Sequence, residues 1–164
     1  MTVAYTAATD PVRQIIHRHA LLRRGLERRA GALCEAAQYG IRSDRQLSTL
    51  RQYPTGQVLP HAEAEERTVY RTASTQGHAS GLVRALTAEH RELAYLAGRL
   101  NDGADAAEAA TIAEWITTLF AGHTAKENDL LLPALTGAGV DLGALLADTP
   151  APRNGANRAP AVAG

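Results

Sequence analysis

The chain is poor in the residues on which sheet folds depend. Aromatic residues make up 4% of its 164 residues, and no stretch alternates Val, Ile, Thr and aromatic residues as strands do. Alanine and leucine are abundant instead, and both favour helix. The composition therefore predicts an all-α protein and argues against a protein built on sheets.

Cysteine and net charge are also scarce. The single cysteine, Cys34, excludes an intrachain disulfide, and its place in an apolar-periodic run predicts a buried thiol. The 17 basic and 17 acidic residues cancel, which gives no reason to expect nucleic acid or an anionic membrane as partner.

Long apolar runs are missing as well. No stretch approaches the roughly 18 to 20 apolar residues of a membrane-spanning helix, and the first ten residues lack the features of a secretory signal. We therefore expect a cytoplasmic protein with no membrane partner.

The chain is the length of one domain and carries helical periodicity in four long segments. Asp10-Pro11 is a helix start signal, with an N-cap acid followed by proline. Pro54, Gly56 and Pro60 predict a break or kink in the second helix, and Pro133 with Gly137 is expected to close the fourth. The four helices are predicted over 10–37, 43–73, 80–100 and 105–132, with a short fifth over 141–147. The apolar side of the fourth helix is predicted to include Trp115 and Leu130.

Four amphipathic helices with short connections predict an antiparallel, up-down four-helix bundle. We divide the chain into an N-terminal extension (1–9), the bundle (10–137), a short C-terminal helix (138–148) and a disordered tail (149–164). The tail consists mostly of Pro, Ala, Gly, Asn and Arg, a composition typical of disorder.

The spacing His-x-x-x-Glu occurs twice, at His61–Glu65 and His123–Glu127. Residues four apart project from the same face of a helix, so each pair can bind one metal together. Each pair follows a helix with one histidine on its apolar stripe, His19 in the first half and His90 in the second. The two halves therefore resemble each other, as an internal duplication would.

A single histidine on an apolar face is more often a hydrogen-bonded core residue than a ligand, and a lone glutamate there is more often a helix-end residue. The same interpretation does not suit four imidazoles and two carboxylates in one core. Burying each of these groups without a partner for its charge or hydrogen bonds costs several kcal/mol. A bound cation compensates them.

Imidazole and carboxylate ligands suit iron, manganese or zinc, and six are too many for one tetrahedral zinc. We predict two metals, with two histidines on each and two bridging carboxylates. His19 and His61 would hold one metal and His90 and His123 the other, with Glu65 and Glu127 spanning both. A bridging oxide or hydroxide would leave each metal an open position.

Four other residues lie near this pattern in the sequence. His17 competes with His19, but it lies roughly 200° around the helix from it, on the polar side. His78 follows Gly77 at a helix start and is expected to be exposed. Tyr70 or Tyr95 could act as an extra ligand or redox residue, although packing between helices is the simpler interpretation.

This pattern resembles the hemerythrin-like, or HHE cation-binding, domain over about residues 10–137. The resemblance is carried by four segments of the sequence: DPVRQIIHRH at 10–19, LPHAEAEERTVY at 59–70, AEHREL at 88–93 and GHTAKENDLLLPAL at 122–135. It implies a non-haem di-iron site that binds dioxygen or related small ligands, and it supports His19.

The chain also departs from the oxygen-carrying members of that family. They have a second histidine one turn after the third-helix histidine, where this chain has Ala94, and they have His-x-x-x-x-Asp where this chain has His123-x-x-x-Glu127. The missing ligand makes the two metals more alike and counts against reversible oxygen carriage.

Three functions are compatible with such a site. The first is binding or reduction of dioxygen, peroxide or nitric oxide by a di-iron oxidoreductase, with peroxidase- or catalase-like breakdown of peroxide the simplest reaction. The second is an oxygen- or iron-sensing or storage module without turnover. The third is a di-iron oxygenase with an organic substrate in a pocket near His61. The sequence identifies no electron donor or signalling partner.

Overall fold

A computed structural model describes residues 10–75, 77 and 79–147. The predictions for residues 1–9 and 149–164, and that for His78, lie outside the described residues. The described part is helical and contains no strand. Its elements are α1 (Pro11–Gln38), α2 (Asp44–Tyr53), α3 (Leu59–Glu65), α4 (Arg71–Ser74), α5 (Ser80–Asn101), α6 (Ala106–Lys126), α7 (Leu132–Gly137) and α8 (Leu142–Ala147).

Local signals place the helix ends. The Asp10 side chain accepts the Val12 N–H at 3.0 Å, and the Asp105 side chain caps α6 by accepting two backbone N–H groups at 2.9 Å. Gly40 and Gly103, both with positive φ, follow the ends of α1 and α5. The predicted bounds of the first and third helices therefore differ from the observed ones by at most one residue at either end.

Two apolar clusters show that the chain runs up and down. The terminal cluster includes Ile15, Val69, Val83, Leu86, Leu131 and Leu135, and the distal cluster includes Leu22, Leu33, Leu50, Leu93, Leu100, Ile112 and Phe120. Along the chain, α1 runs from the terminal to the distal cluster, and the segment 44–74 runs back. The helix α5 runs out again, and the last long segment returns, which confirms the predicted all-α up-down bundle.

At the predicted break or kink in the second helix, the chain does not leave the helix but changes to a π-helical segment. The segment from Asp44 to Ser74 stays helical, and five-residue π-helical segments at Pro54–Val58 and Glu66–Tyr70 are inserted in it. A π-helical turn accommodates an extra residue and re-pairs backbone groups around a proline. A third π-helical segment, at Glu127–Leu131, precedes Pro133, and the last helix continues through that proline to Gly137. Pro133 therefore does not end the helix.

Three predictions of burial are wrong. Cys34 is exposed because it lies about 100° around α1 from the buried Leu33. Trp115, predicted inward, is 52% exposed beside the buried Ile116. Leu130 is exposed because the π-helical segment shifts the register and places Leu131 in the core instead.

Candidate metal centre

The histidines and glutamates predicted as ligands form a polar layer between the two apolar clusters. Each lies on its helix between residues of the terminal and distal clusters, as His19 does between Ile15 and Leu22. Five of the six are buried, and the side chain of His61 is 11% exposed. The structure brings together all six: His19, His61, Glu65, His90, His123 and Glu127.

These residues form two overlapping groups that share one carboxylate. His19, His61 and Glu65 form the first, and Glu65, His90, His123 and Glu127 form the second, with the potential donor atoms of each group within 4.8 Å of one another. Glu65 therefore lies between the two groups.

In the first group, both imidazoles contact the carboxylate of Glu65. The Nε2 atoms of His19 and His61 lie 3.0 and 3.1 Å from Oε1 of Glu65. The Oε2 atom of Glu127 approaches the same group, 3.5 Å from Nε2 of His19. Both carboxylates thus reach the first group, as two bridging groups would.

The second group brings two imidazoles into close contact. The Nε2 atoms of His90 and His123 are 3.0 Å apart, which is hydrogen-bonding distance when one of the two rings carries a proton on Nε2. Oε2 of Glu65 lies 3.8 Å from Nε2 of His90, and Oε2 of Glu127 lies 3.4 Å from Nε2 of His123.

Three of the imidazoles are oriented by a hydrogen bond on their outer nitrogen. The Nδ1–H groups donate to Oδ1 of Asn128 from His19 (2.8 Å), to Oε1 of Glu66 from His90 (2.9 Å), and to Oε2 of Glu89 from His123 (3.0 Å). Lys126 in turn pairs with Glu89. Such bonds fix the tautomer that turns the Nε2 lone pair inward, as metal-binding histidines require.

The donor set fits a bound cation. Oε2 of Glu65, Oε2 of Glu127 and Nε2 of His61 are buried without a hydrogen-bond partner. Buried polar atoms normally have one, and an unsatisfied carboxylate oxygen is especially costly. Three buried atoms of metal-binding type without hydrogen-bond partners, all within the two groups, are compatible with metal binding.

Protonation in the metal-free protein follows from the same contacts. Burial would raise the pKa of Glu65, but the adjacent His61 and the hydrogen bond with His19 outweigh it and hold that pKa far below its usual range. Burial lowers the pKa of His90, and the neighbouring His123 lowers it further. For His19 and His123 burial also acts downward, but hydrogen bonds to glutamates outweigh it and raise the pKa.

Tyr70 belongs to this centre, whereas Tyr95 does not. The Tyr70 hydroxyl donates to Oε1 of Glu127 at 2.6 Å and lies 3.3 and 3.4 Å from Nε2 of His123 and His90. Burial and the charge of Glu127 raise the pKa of Tyr70. The simpler interpretation of Tyr70, as a packing residue only, is therefore wrong. Tyr95 is 58% exposed, and His17 is exposed on the polar side of α1 as expected.

The residues that hold the imidazoles were missed at the sequence level. Glu66, Glu89 and Asn128 are each next in sequence to a predicted ligand. A neighbour on a helix lies about 100° away, so these residues fall off the apolar stripe and look solvent-facing. Their adjacency to Glu65, His90 and Glu127 was the available signal.

No helix in the described part of the chain is both long and apolar enough to cross a membrane. Comparison with curated proteins found no match, and comparison with solved structures found none either. The family described as Hemerythrin HHE cation binding domain matches residues 10–137, the stretch that contains all six clustered histidines and glutamates. Because the match spans most of the chain, the protein belongs to the hemerythrin HHE cation-binding family.

Proposed function

We propose that the protein holds two iron ions between its helices and breaks down hydrogen peroxide there. His19, His61, Glu65, His90, His123 and Glu127 would be the ligands, with an oxide or hydroxide as a further bridge. The observation that carries the proposal is the pair of buried His/Glu groups that share Glu65 and leave carboxylate oxygens unsatisfied toward their centre.

Bound iron would supply Lewis acidity and electrons to a small oxygen ligand. Disproportionation of two hydrogen peroxide molecules to dioxygen and two waters balances without an external electron donor. The proposal therefore requires no partner protein. Dioxygen and nitric oxide would bind at the same site.

The chain itself supplies a proton at the centre. The Tyr70 hydroxyl donates its hydrogen to Oε1 of Glu127, with 2.6 Å between the two oxygens. This places an O–H group directly beside the proposed ligands. A positioned proton donor speeds reactions in which an oxygen leaves as hydroxide or water. Tyr70 also stacks on His90, with ring centroids 5.2 Å apart, which fixes the hydroxyl against the centre.

A small ligand suits the burial of the site. The terminal and distal apolar clusters lie on either side of the polar layer and exclude bulk water. A surface groove of about 490 Å³ lies between α5 and α6 and is lined by Glu92, Trp115 and their neighbours, none of which is a proposed ligand. The burial of five of the six proposed ligands favours peroxide over a bulky organic substrate.

Metal content and peroxide consumption test the proposal. Protein reconstituted with ferrous iron without oxygen should contain two irons per chain and consume hydrogen peroxide. His19→Ala should lose iron and activity, whereas His17→Ala, an exposed histidine on the same helix, should retain both.

The outcomes separate the candidate functions. Two irons without peroxide consumption would overturn the enzymatic proposal and favour a sensing or storage module. Metal content unchanged by both His19→Ala and His61→Ala would show that the histidines are structural and that the proposal is wrong.

A further inference from the structure

The two histidines of the second group both have a carboxylate behind them. The Nδ1–H of His123 donates to Glu89 and that of His90 donates to Glu66, at 3.0 and 2.9 Å. Glu89 is the better placed of the two, because its side chain is 21% exposed and that of Glu66 is 42% exposed. Lys126 pairs with the other oxygen of Glu89 and holds the carboxylate in position.

The two histidines of the first group lack such carboxylates. The Nδ1–H of His19 donates to the neutral amide oxygen of Asn128 at 2.8 Å. The Nε2 atom of His61 lies 3.1 Å from Oε1 of Glu65, but its outer nitrogen, Nδ1, has no side-chain partner among the described residues. All four imidazoles are therefore proposed ligands, but only the two of the second group have a carboxylate hydrogen-bonded to the outer nitrogen.

This difference has a direct chemical consequence. A carboxylate that accepts the outer N–H of an imidazole draws the proton toward itself and makes the inner nitrogen a more basic ligand. A neutral amide oxygen does so less. The negative charge of the carboxylate also favours a cation held a few ångströms away.

We propose that the two metal positions are unequal. The position between His90 and His123 binds its metal more tightly, and the position between His19 and His61 releases its metal first. Glu89 is the residue that sets most of the difference, acting as a positioning residue through His123. The inference rests on the proposed function, because it requires two bound metals.

It also revises an expectation from the sequence. The absence of a fifth histidine, at Ala94, makes the inner ligands of the two metals alike. The hydrogen bonds on the outer nitrogens make the two metal positions unequal, although each position has the same number of histidine ligands.

Release of iron to a chelator measures the two positions separately. Protein loaded anaerobically with two ferrous ions per chain is mixed with excess of a chelator that absorbs light on binding ferrous iron. The wild type should release iron in two phases of equal amplitude. Glu89→Gln keeps the side-chain shape and an oxygen acceptor for His123, and it should accelerate the slow phase about 10- to 100-fold.

A reciprocal variant and a control complete the test. Asn128→Asp gives His19 a carboxylate and should slow the fast phase, a gain that damage to the fold would not produce. Glu92→Gln removes an exposed acid from the same helix as Glu89 and should change neither phase.

Several results would overturn the inference. A single release phase in the wild type would do so, as would a Glu89→Gln variant that accelerates both phases equally or neither. Those results with two irons still bound leave the proposed di-iron site intact. Fewer than two irons per chain in the wild type would overturn both.

Discussion

At the scale of single residues, the Tyr70 hydroxyl is the group outside the six proposed ligands that contacts three of them directly. Its bond to Glu127 satisfies Oε1 of a carboxylate whose other oxygen has no partner. The proposed peroxide chemistry therefore depends on one side chain that is not among the six proposed ligands.

Tyr70→Phe should lower peroxide consumption about 100-fold, because it removes the positioned proton donor, while iron content stays at two per chain. In metal-free protein it should cost about 1–3 kcal/mol of unfolding free energy, since it leaves a buried carboxylate oxygen without its donor. Peroxide assays and urea unfolding of the two forms measure these effects.

Tyr95→Phe is the matched control, because that tyrosine is exposed on α5. It should change neither activity nor stability appreciably. If Tyr70→Phe consumed peroxide at the wild-type rate, the hydroxyl would have no part in proton transfer.

At the scale of elements, the contact of α1 with α2 depends on one glycine. A Cβ at Gly25 would lie 1.9 Å from Oη of Tyr53 and 2.3 Å from its Cζ atom. The tyrosine cannot move without cost, because its hydroxyl donates to the Leu22 carbonyl at 3.3 Å and Arg29 lies over its ring at 4.0 Å.

Gly25→Ala should therefore destabilise the protein by about 1–3 kcal/mol through overpacking. Gly31→Ala, in the same helix with nothing within 4 Å of the added Cβ, should stabilise it by about 0.5–1 kcal/mol through helix propensity. Urea unfolding of both variants measures the difference. A Gly25→Ala variant as stable as Gly31→Ala would show that Tyr53 yields freely.

The cap of α6 matters because that helix carries His123 toward the metal centre. Asp105→Ala removes the acceptor of two backbone N–H groups and should cost about 0.5–2 kcal/mol, measured by thermal or urea unfolding. Asp102→Ala, an exposed acid in the same connection, should cost clearly less. Equal losses would mean that the cap contributes nothing specific.

Elements also show how far the sequence could be interpreted. Helix positions and the six clustered residues were predictable because capping residues and the 3.6-residue period are local signals. The π-helical segments were not predictable, because they depend on how each helix packs against its neighbours as well as on the nearby prolines, and packing between helices is not a local signal. Leu130 shows the result, since a strict 3.6-residue stripe places it inside, whereas the inserted residue of Glu127–Leu131 turns it to solvent.

At the scale of the whole molecule, the buried centre couples folding to pH. In the metal-free protein the pKa values of His19 and His123 are raised, so their protonated forms stabilise the fold. That contribution is complete below the unfolded value of about 6.5 and is lost as the pH rises through the folded values. The lowered pKa of His90 has the opposite effect, because it reduces the stability of the fold as the pH falls below about 6.5.

Bound metal is expected to reverse this dependence. Iron would take the place of the protons on the inner Nε2 atoms, so protons would compete with it and the loaded protein should become more stable as the pH rises from 6 to 8. The metal-free protein should instead lose stability over the same range, because His19 and His123 deprotonate. Urea unfolding of chelator-treated and iron-loaded samples at pH 6, 7 and 8 measures both slopes. His17→Ala, which alters an exposed histidine, should preserve them. If both samples had slopes of the same sign, either the protons or the metal would not occupy the centre that the six side chains form.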